Sequence, residues 1–159
     1  MTKKIKSPHS LAKLCTQLQK KGKKVVFTNG CFDLLHAGHI RYLAQAKKLG
    51  DILILGLNSD KSVKRIKGPK RPIVPLKERG EVMAALASVD YVTSFRESTP
   101  YKLISLLKPN ILVKGGDWKI KEIVGSDIVL KNKGKVKSLA FHKGQSTTNV
   151  IEKILRVYR

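Results

Sequence analysis

Long apolar runs are missing from this sequence. None approaches the roughly 20 residues of a membrane span, and the first twenty, MTKKIKSPHSLAKLCTQLQK, lack the apolar centre of a signal peptide. A cytoplasmic protein with no membrane partner is therefore expected. Cysteine is scarce. Cys15 and Cys31 fit no metal-ligand spacing and read as two reduced thiols. Aromatics make up 6% and are not paired near the basic runs, which argues against stacking on single-stranded nucleic acid. Acidic residues are scarce too: 11 Asp and Glu stand against 33 Lys and Arg, a net charge of +22. That balance suits nucleic acid, a membrane surface or a small anionic substrate. The lysines are spread along the chain (KKGKK, KSVKRIKGPKR, KNKGKVK), so composition plus small anionic ligands is favoured over nucleic acid.

What is present is a globular chain. Its 159 residues are 42% hydrophobic, with no internal repeat or low-complexity linker, enough for one domain with a single core. Residues 9–21 have helical spacing (Leu11, Leu14, Cys15, Leu18) and are stopped by Gly22. Strands are predicted in KKVVFTNG, DILILGLNS, DYVTSF, NILVKGG and KVKSLAF. Helices are predicted over 38–49, in SDKSVKRI behind a Ser59 cap, over 76–87, and after Ser98-Thr99-Pro100, with Ser and Thr as cap. Residues 120–133 read as helix or irregular chain, and STTNVIEKILRVY as a final amphipathic helix. This alternation predicts βαβ units: a Rossmann-like, doubly wound α/β fold with a parallel five-stranded sheet and helices on both faces. Ligands of such sheets bind beyond the carboxyl ends of the strands.

Four stretches carry candidate chemistry. In TNGCFDLLHAGHIRYL (28–43), His36 and His39 lie three apart at a strand-to-helix junction, on one face of the first helical turn. Gly38 between them allows close approach of a ligand. A helix start offers unpaired N–H groups to phosphate, and two imidazoles there suit a phosphoryl transition state. A lone histidine is more often a satisfied core or surface group; two in H-x-G-H are harder to explain so. No zinc site is expected, because His9 and His142 are distant. In GQSTTNVIEKI, the hydroxyls of Ser146, Thr147 and Thr148 either cap a helix or donate to a nucleotide's outer phosphates. In VKGGDW, Gly115 and Gly116 allow backbone contact with a base or ribose and Asp117 can accept a hydrogen bond; the bland alternative is a tight turn with a solvated Lys114. RIKGPKRP, with Arg79 downstream, is either a basic lid or a solvated loop.

Together these motifs resemble the cytidylyltransferase-like nucleotidyltransferases, over about residues 24–157. Residues 1–23 then form an N-terminal helical extension and 24–159 the nucleotidyltransferase domain. TNGCFDLLHAGH, LNSDKSVKRIKGPKRP, PLKERGEVMAAL and LVKGGDW look most like the adenylyltransferase domain of bacterial ADP-heptose synthase, in its stand-alone form. Glycerol-3-phosphate cytidylyltransferases carry an arginine shortly before S-T-T. Here the region reads AFHKG, which argues against CTP and leaves His142 or Lys143 for that role.

The resemblance implies transfer of AMP from ATP to a sugar 1-phosphate, D-glycero-β-D-manno-heptose 1-phosphate, in lipopolysaccharide core synthesis. Other phosphorylated acceptors, such as glycerol 3-phosphate or FMN, are the alternative, and a basic nucleic-acid-binding domain is a more distant one. By position His36 and His39 would hold the α- and β-phosphates. Thr28, Asn29, Gly30, Cys31 and Phe32 would line the nucleotide; Lys67, with Lys70 as its rival, would reach the transferring phosphate. Arg79 would support the triphosphate, Lys114 to Asp117 the nucleoside, and Ser146 to Thr148 the outer phosphates. Mg²⁺ would be carried by ATP and not by a protein metal site. A homodimer and a separate sugar kinase upstream are also implied. The segment carrying Lys64, Arg65, Lys67, Lys70 and Arg71, broken by Gly68, Pro69 and Pro72, is expected to be irregular and mobile, closing over ATP.

Overall fold

Local chemistry sets the element ends in the computed structural model, which describes residues 3–140 and 146–158. The Ser7 side chain accepts from the Ser10 amide and Pro8 fills the first turn, so α1 spans Pro8–Lys20. Gly22, at φ +75°, takes the chain out of it. There follow β1 (Val25–Gly30), α2 (Ala37–Lys47), β2 (Ile52–Asn58), α3 (Asp60–Lys67), α4 (Leu76–Ala85) and β3 (Tyr91–Phe95). The remainder is α5 (Tyr101–Leu107), β4 (Ile111–Gly115), a 3-10 turn Ile120–Glu122, α6 (Ser126–Lys131), β5 (Lys135–Leu139) and α7 (Thr147–Val157). Ser59 caps α3, accepting from the Ser62 amide.

Two expectations need correction. Lys64, Arg65 and Lys67 belong to α3, because the helix runs on until Gly68, whose φ of +95° ends it. Only the stretch from Gly68 onward is irregular. Ser98 and Thr99 do not cap α5; Pro100 stands at its N-cap, with no side-chain cap bond. Segment 120–133, expected as helix or irregular chain, holds both: the 3-10 turn and the short α6.

All strands are parallel, in the order β3-β2-β1-β4-β5. Side chains alternate between the faces: Val25 and Phe27 pack with α1, α5 and α6 residues such as Leu11, Ile104 and Val129. Val26 packs on the opposite face with Leu43 of α2 and Met83 of α4. Burying each such aliphatic side chain stabilises by about 1.5–3 kcal/mol. The sheet with helices on both faces is the doubly wound arrangement that the sequence predicts. The edge strand β3 is covered in part by the N-terminal segment, where the Lys6 amide donates to Val92 O and the Val92 amide to Lys4 O. Helix α7 buries none of its residues. No helix among the described residues is long and apolar enough to cross a membrane.

The sheet reverses direction of winding between β1 and β4. Their pairing stops at Phe27↔Leu112, while β1 stays paired with β2 as far as Gly30↔Leu57. A crevice therefore opens between the carboxyl ends of β1 and β4, where ligands of this architecture bind.

Candidate active site

Helix α2 closes the bottom of that crevice. Tyr42 is 6% exposed. Its hydroxyl lies 2.6 Å from Thr28 Oγ1 and donates to the Val113 carbonyl at 3.4 Å, bridging the parted strands. The Thr28 hydroxyl is thus engaged inside the fold and does not line the cavity above, a correction to its expected role.

The turn from β1 into α2 is tight. Phe32 sits at φ +44°, an unusual conformation for a bulky residue. Its ring is tucked under Gly30, where a Cβ would come within 2.7 Å of it, so any larger residue at 30 would collide. The ring also packs 5.1 Å from that of His39, and the rings of His36 and His39 stack at 3.9 Å. His36 is the N-cap of α2, and the His39 amide donates to its carbonyl at 2.9 Å. Burial lowers the pKa of His36. Burial, with the neighbouring His36, pushes His39 down to about 4. Both imidazoles are therefore neutral near pH 7, and each has a buried Nδ1 without a hydrogen-bond partner.

Above them lies a cavity of about 550 Å³. Its walls include Asn29, Gly30, Cys31, Phe32, His36, Gly38 and His39 from the β1–α2 turn. Lys67 enters from the end of α3, Lys114 and Gly115 from β4, and Ser146, Thr147 and Thr148 from the start of α7. Two helix N-termini converge here, and they are tied together: Thr147 Oγ1 donates to the Leu34 carbonyl at 3.2 Å. Ser146 caps α7 by accepting from the Asn149 amide at 3.0 Å. The cations crowd around Cys31. Burial raises its thiol pKa, while Lys67, Arg79 and Arg71 pull it back down. Burial, opposed by Cys31 and reinforced by Lys67, lowers the pKa of Lys114. Such a cluster of cations around an enclosed space is poised for an anion.

Some expected residues lie elsewhere. Arg79 is 1% exposed and does not face the cavity. Its Nε donates to Val74 O, its Nη1 to Cys31 O, and its Nη2 to Asn58 O and Asp60 Oδ1. Its charge is spent on holding the β1, β2 and α3 ends in register. Gly116 and Asp117 also miss the cavity wall; the Gly116 amide donates to Leu139 O instead. Lys70 is absent from the wall while Lys67 is on it. His142 and Lys143 lie outside the described residues.

Arg71, expected only as part of the basic segment, is on the wall, and Trp118, Glu122, Asn58, Ser98 and Thr99 join it without having been expected at the site. Trp118 ends the VKGGDW motif, and its indole N–H donates to Gly115 O at 3.0 Å. Asp33 is 4% exposed and accepts from Arg71 Nε. Asp33 thus ties the basic loop to the turn that carries the histidines.

A family model described as cytidylyltransferase-like matches residues 27–153. The chain is 56% identical to the bifunctional protein HldE of Trichlorobacter lovleyi and 51% identical to that of Geobacter sulfurreducens. Each match covers 98% of this chain and 32% of the relative, so the chain spans about a third of those proteins. A solved lipopolysaccharide core biosynthesis protein from Thermoplasma volcanium aligns with TM-score 0.63 and 34% identity, over 78% of this chain and all of the other. A pantoate-β-alanine ligase from Francisella tularensis shares the fold at TM-score 0.58 and 16% identity, over 96% of this chain and 78% of the ligase.

Proposed function

From the premise that this chain belongs to the cytidylyltransferase-like family and is a nucleotidyltransferase, we propose that it transfers AMP from ATP to a sugar 1-phosphate, D-glycero-β-D-manno-heptose 1-phosphate. The observation that carries the phosphate chemistry is the convergence of two helix N-termini, two stacked imidazoles and Lys67, Lys114 and Arg71 on one cavity. The choice of acceptor is supported by the likeness to HldE and to the lipopolysaccharide core protein.

In this reading a phosphate oxygen of the sugar attacks the α-phosphorus of ATP in line. The bond to the β-phosphate oxygen breaks, and pyrophosphate leaves. No protein nucleophile is required; positioning and charge neutralisation lower the barrier. His36 and His39 donate to the phosphate oxygens as charge builds on them. The amides at the start of α2 and α7, with the Ser146 and Thr148 hydroxyls, hold the triphosphate; the Thr147 hydroxyl is committed to the Leu34 carbonyl. Lys67 faces the α-phosphate from the end of α3, and Lys114 borders the nucleoside side.

A resident metal would need a cluster of protein ligands. No group of three His, Cys, Asp or Glu among the described residues could hold one, and both Asp33 oxygens already accept hydrogen bonds. Mg²⁺ would arrive as part of the nucleotide substrate. The same reading makes the protein a cytoplasmic homodimer that takes its sugar phosphate from a sugar kinase reaction.

Pyrophosphate release from each of the four common nucleoside triphosphates, against a panel of sugar 1-phosphates, glycerol 3-phosphate and FMN, tests it. Turnover with ATP and the heptose 1-phosphate is expected. Preference for CTP, or for a non-sugar acceptor, would reject the assignment of substrates.

A further inference from the structure

We propose that Asp33 is a positioning residue: it latches loop 68–74 onto the histidine-bearing turn and so fixes Arg71 as a further cation of the site. What Arg71 then faces, a phosphate, rests on the nucleotidyltransferase reading; the latch does not.

The Asp33 side chain is 0% exposed, in a chain with few acids. A carboxylate buried without partners is costly, so its donors are informative. They come from one short segment: Arg71 Nε at 2.5 Å, the Ile73 amide at 2.9 Å and the Val74 amide at 2.8 Å. Burial alone would raise the pKa of the carboxyl, but these donors outweigh it and hold it below the ordinary value. Pro69 and Pro72 deny the same segment regular backbone pairing. Just beyond it, the Val74 carbonyl accepts from buried Arg79 at 2.9 Å. Beyond one backbone turn, the Arg71 amide to Gly68 O at 3.2 Å, the loop is thus held by the side chains of Asp33 and Arg79. Asp33 lies three residues before His36, so one turn carries both the latch and an imidazole. The pairing uses Arg71 Nε, leaving the two amino groups of the fork for other acceptors, and Arg71 lines the cavity.

Asp33→Asn, Arg71→Ala and the double variant test this by amide hydrogen exchange on the free protein and by steady-state kinetics. Faster exchange at Ile73 and Val74 is expected in Asp33→Asn. Each single variant should lose kcat/KM by roughly 10- to 100-fold, as for groups that orient site residues. The double variant should lose no more than the worse single one, because both act through the same contact. Unchanged exchange, or losses that multiply, would overturn the latch. So would a raised Mg²⁺ requirement in Asp33→Asn that Arg71→Ala does not share, which would mark Asp33 as a metal ligand. Should Asp33→Asn not fold, Arg71→Lys carries the test: it keeps the charge but loses the fork, and it must show the same exchange increase. Lost protection with no turnover from any triphosphate would keep the latch and sink the nucleotidyltransferase reading. Turnover with intact protection would do the reverse.

Discussion

The hydroxyl of Tyr42 meets that of Thr28 at 2.6 Å, at the point where β1 and β4 part. This contact sets how α2, and with it His36 and His39, sits over the crevice. Tyr42→Phe removes the partner of a fully buried hydroxyl, which costs about 1–3 kcal/mol. Urea unfolding should show that loss. Full stability in Tyr42→Phe would mean that packing alone holds α2.

His36→Ala and His39→Ala should each lower kcat by roughly 10²- to 10³-fold, equivalent to about 2.7–4 kcal/mol of transition-state stabilisation. Thermal unfolding should change little, because both Nδ1 atoms lack a hydrogen-bond partner in the fold. A large drop in Tm with normal turnover in the folded fraction would make the pair a core feature.

Binding of ATP should take up protons. Burial and His36 hold the free His39 at about 4, and a phosphate beside an imidazole raises that value. Between the two values the complex carries a proton that the free protein lacks, so affinity rises as pH falls from 7 toward 5. Calorimetry in buffers of different ionisation enthalpy measures the uptake, and His39→Gln should abolish it. Proton release, or affinity that grows with pH, contradicts the assignment.

Lys67→Ala should lower kcat more than it weakens ATP binding, since its charge matters most at the α-phosphorus during transfer. Lys70→Ala should be nearly silent, because Lys70 is not on the cavity wall. Kinetics and ATP binding measured side by side decide between the two lysines; activity lost only in Lys70→Ala reverses the choice.

Arg79→Met should destabilise by about 3 kcal/mol or more, as expected when a buried paired charge is removed from its partners. The carbonyls of Val74, Cys31 and Asn58 lose their donor. An altered KM for ATP with unchanged stability would return Arg79 to the triphosphate.

The sequence by itself determined the repeating βαβ order, the strand cores and the two anion-favouring helix starts. These are local matters: a continuous apolar run in ILILGLN, a Ser146 cap, a histidine pair three apart. Each can be read from a window of a few residues because its physical cause lies in that window. Only the tertiary structure decided which polar groups face the cavity. Thr28 and Arg79 had the right chemistry for a nucleotide, but partners 14 and 48 residues away claim them. Nothing in the window around Asp33 shows that Arg71, Ile73 and Val74 will reach it across the fold. A charged side chain's role depends on whether its hydrogen-bonding capacity is already spent, and that is settled only when distant segments meet.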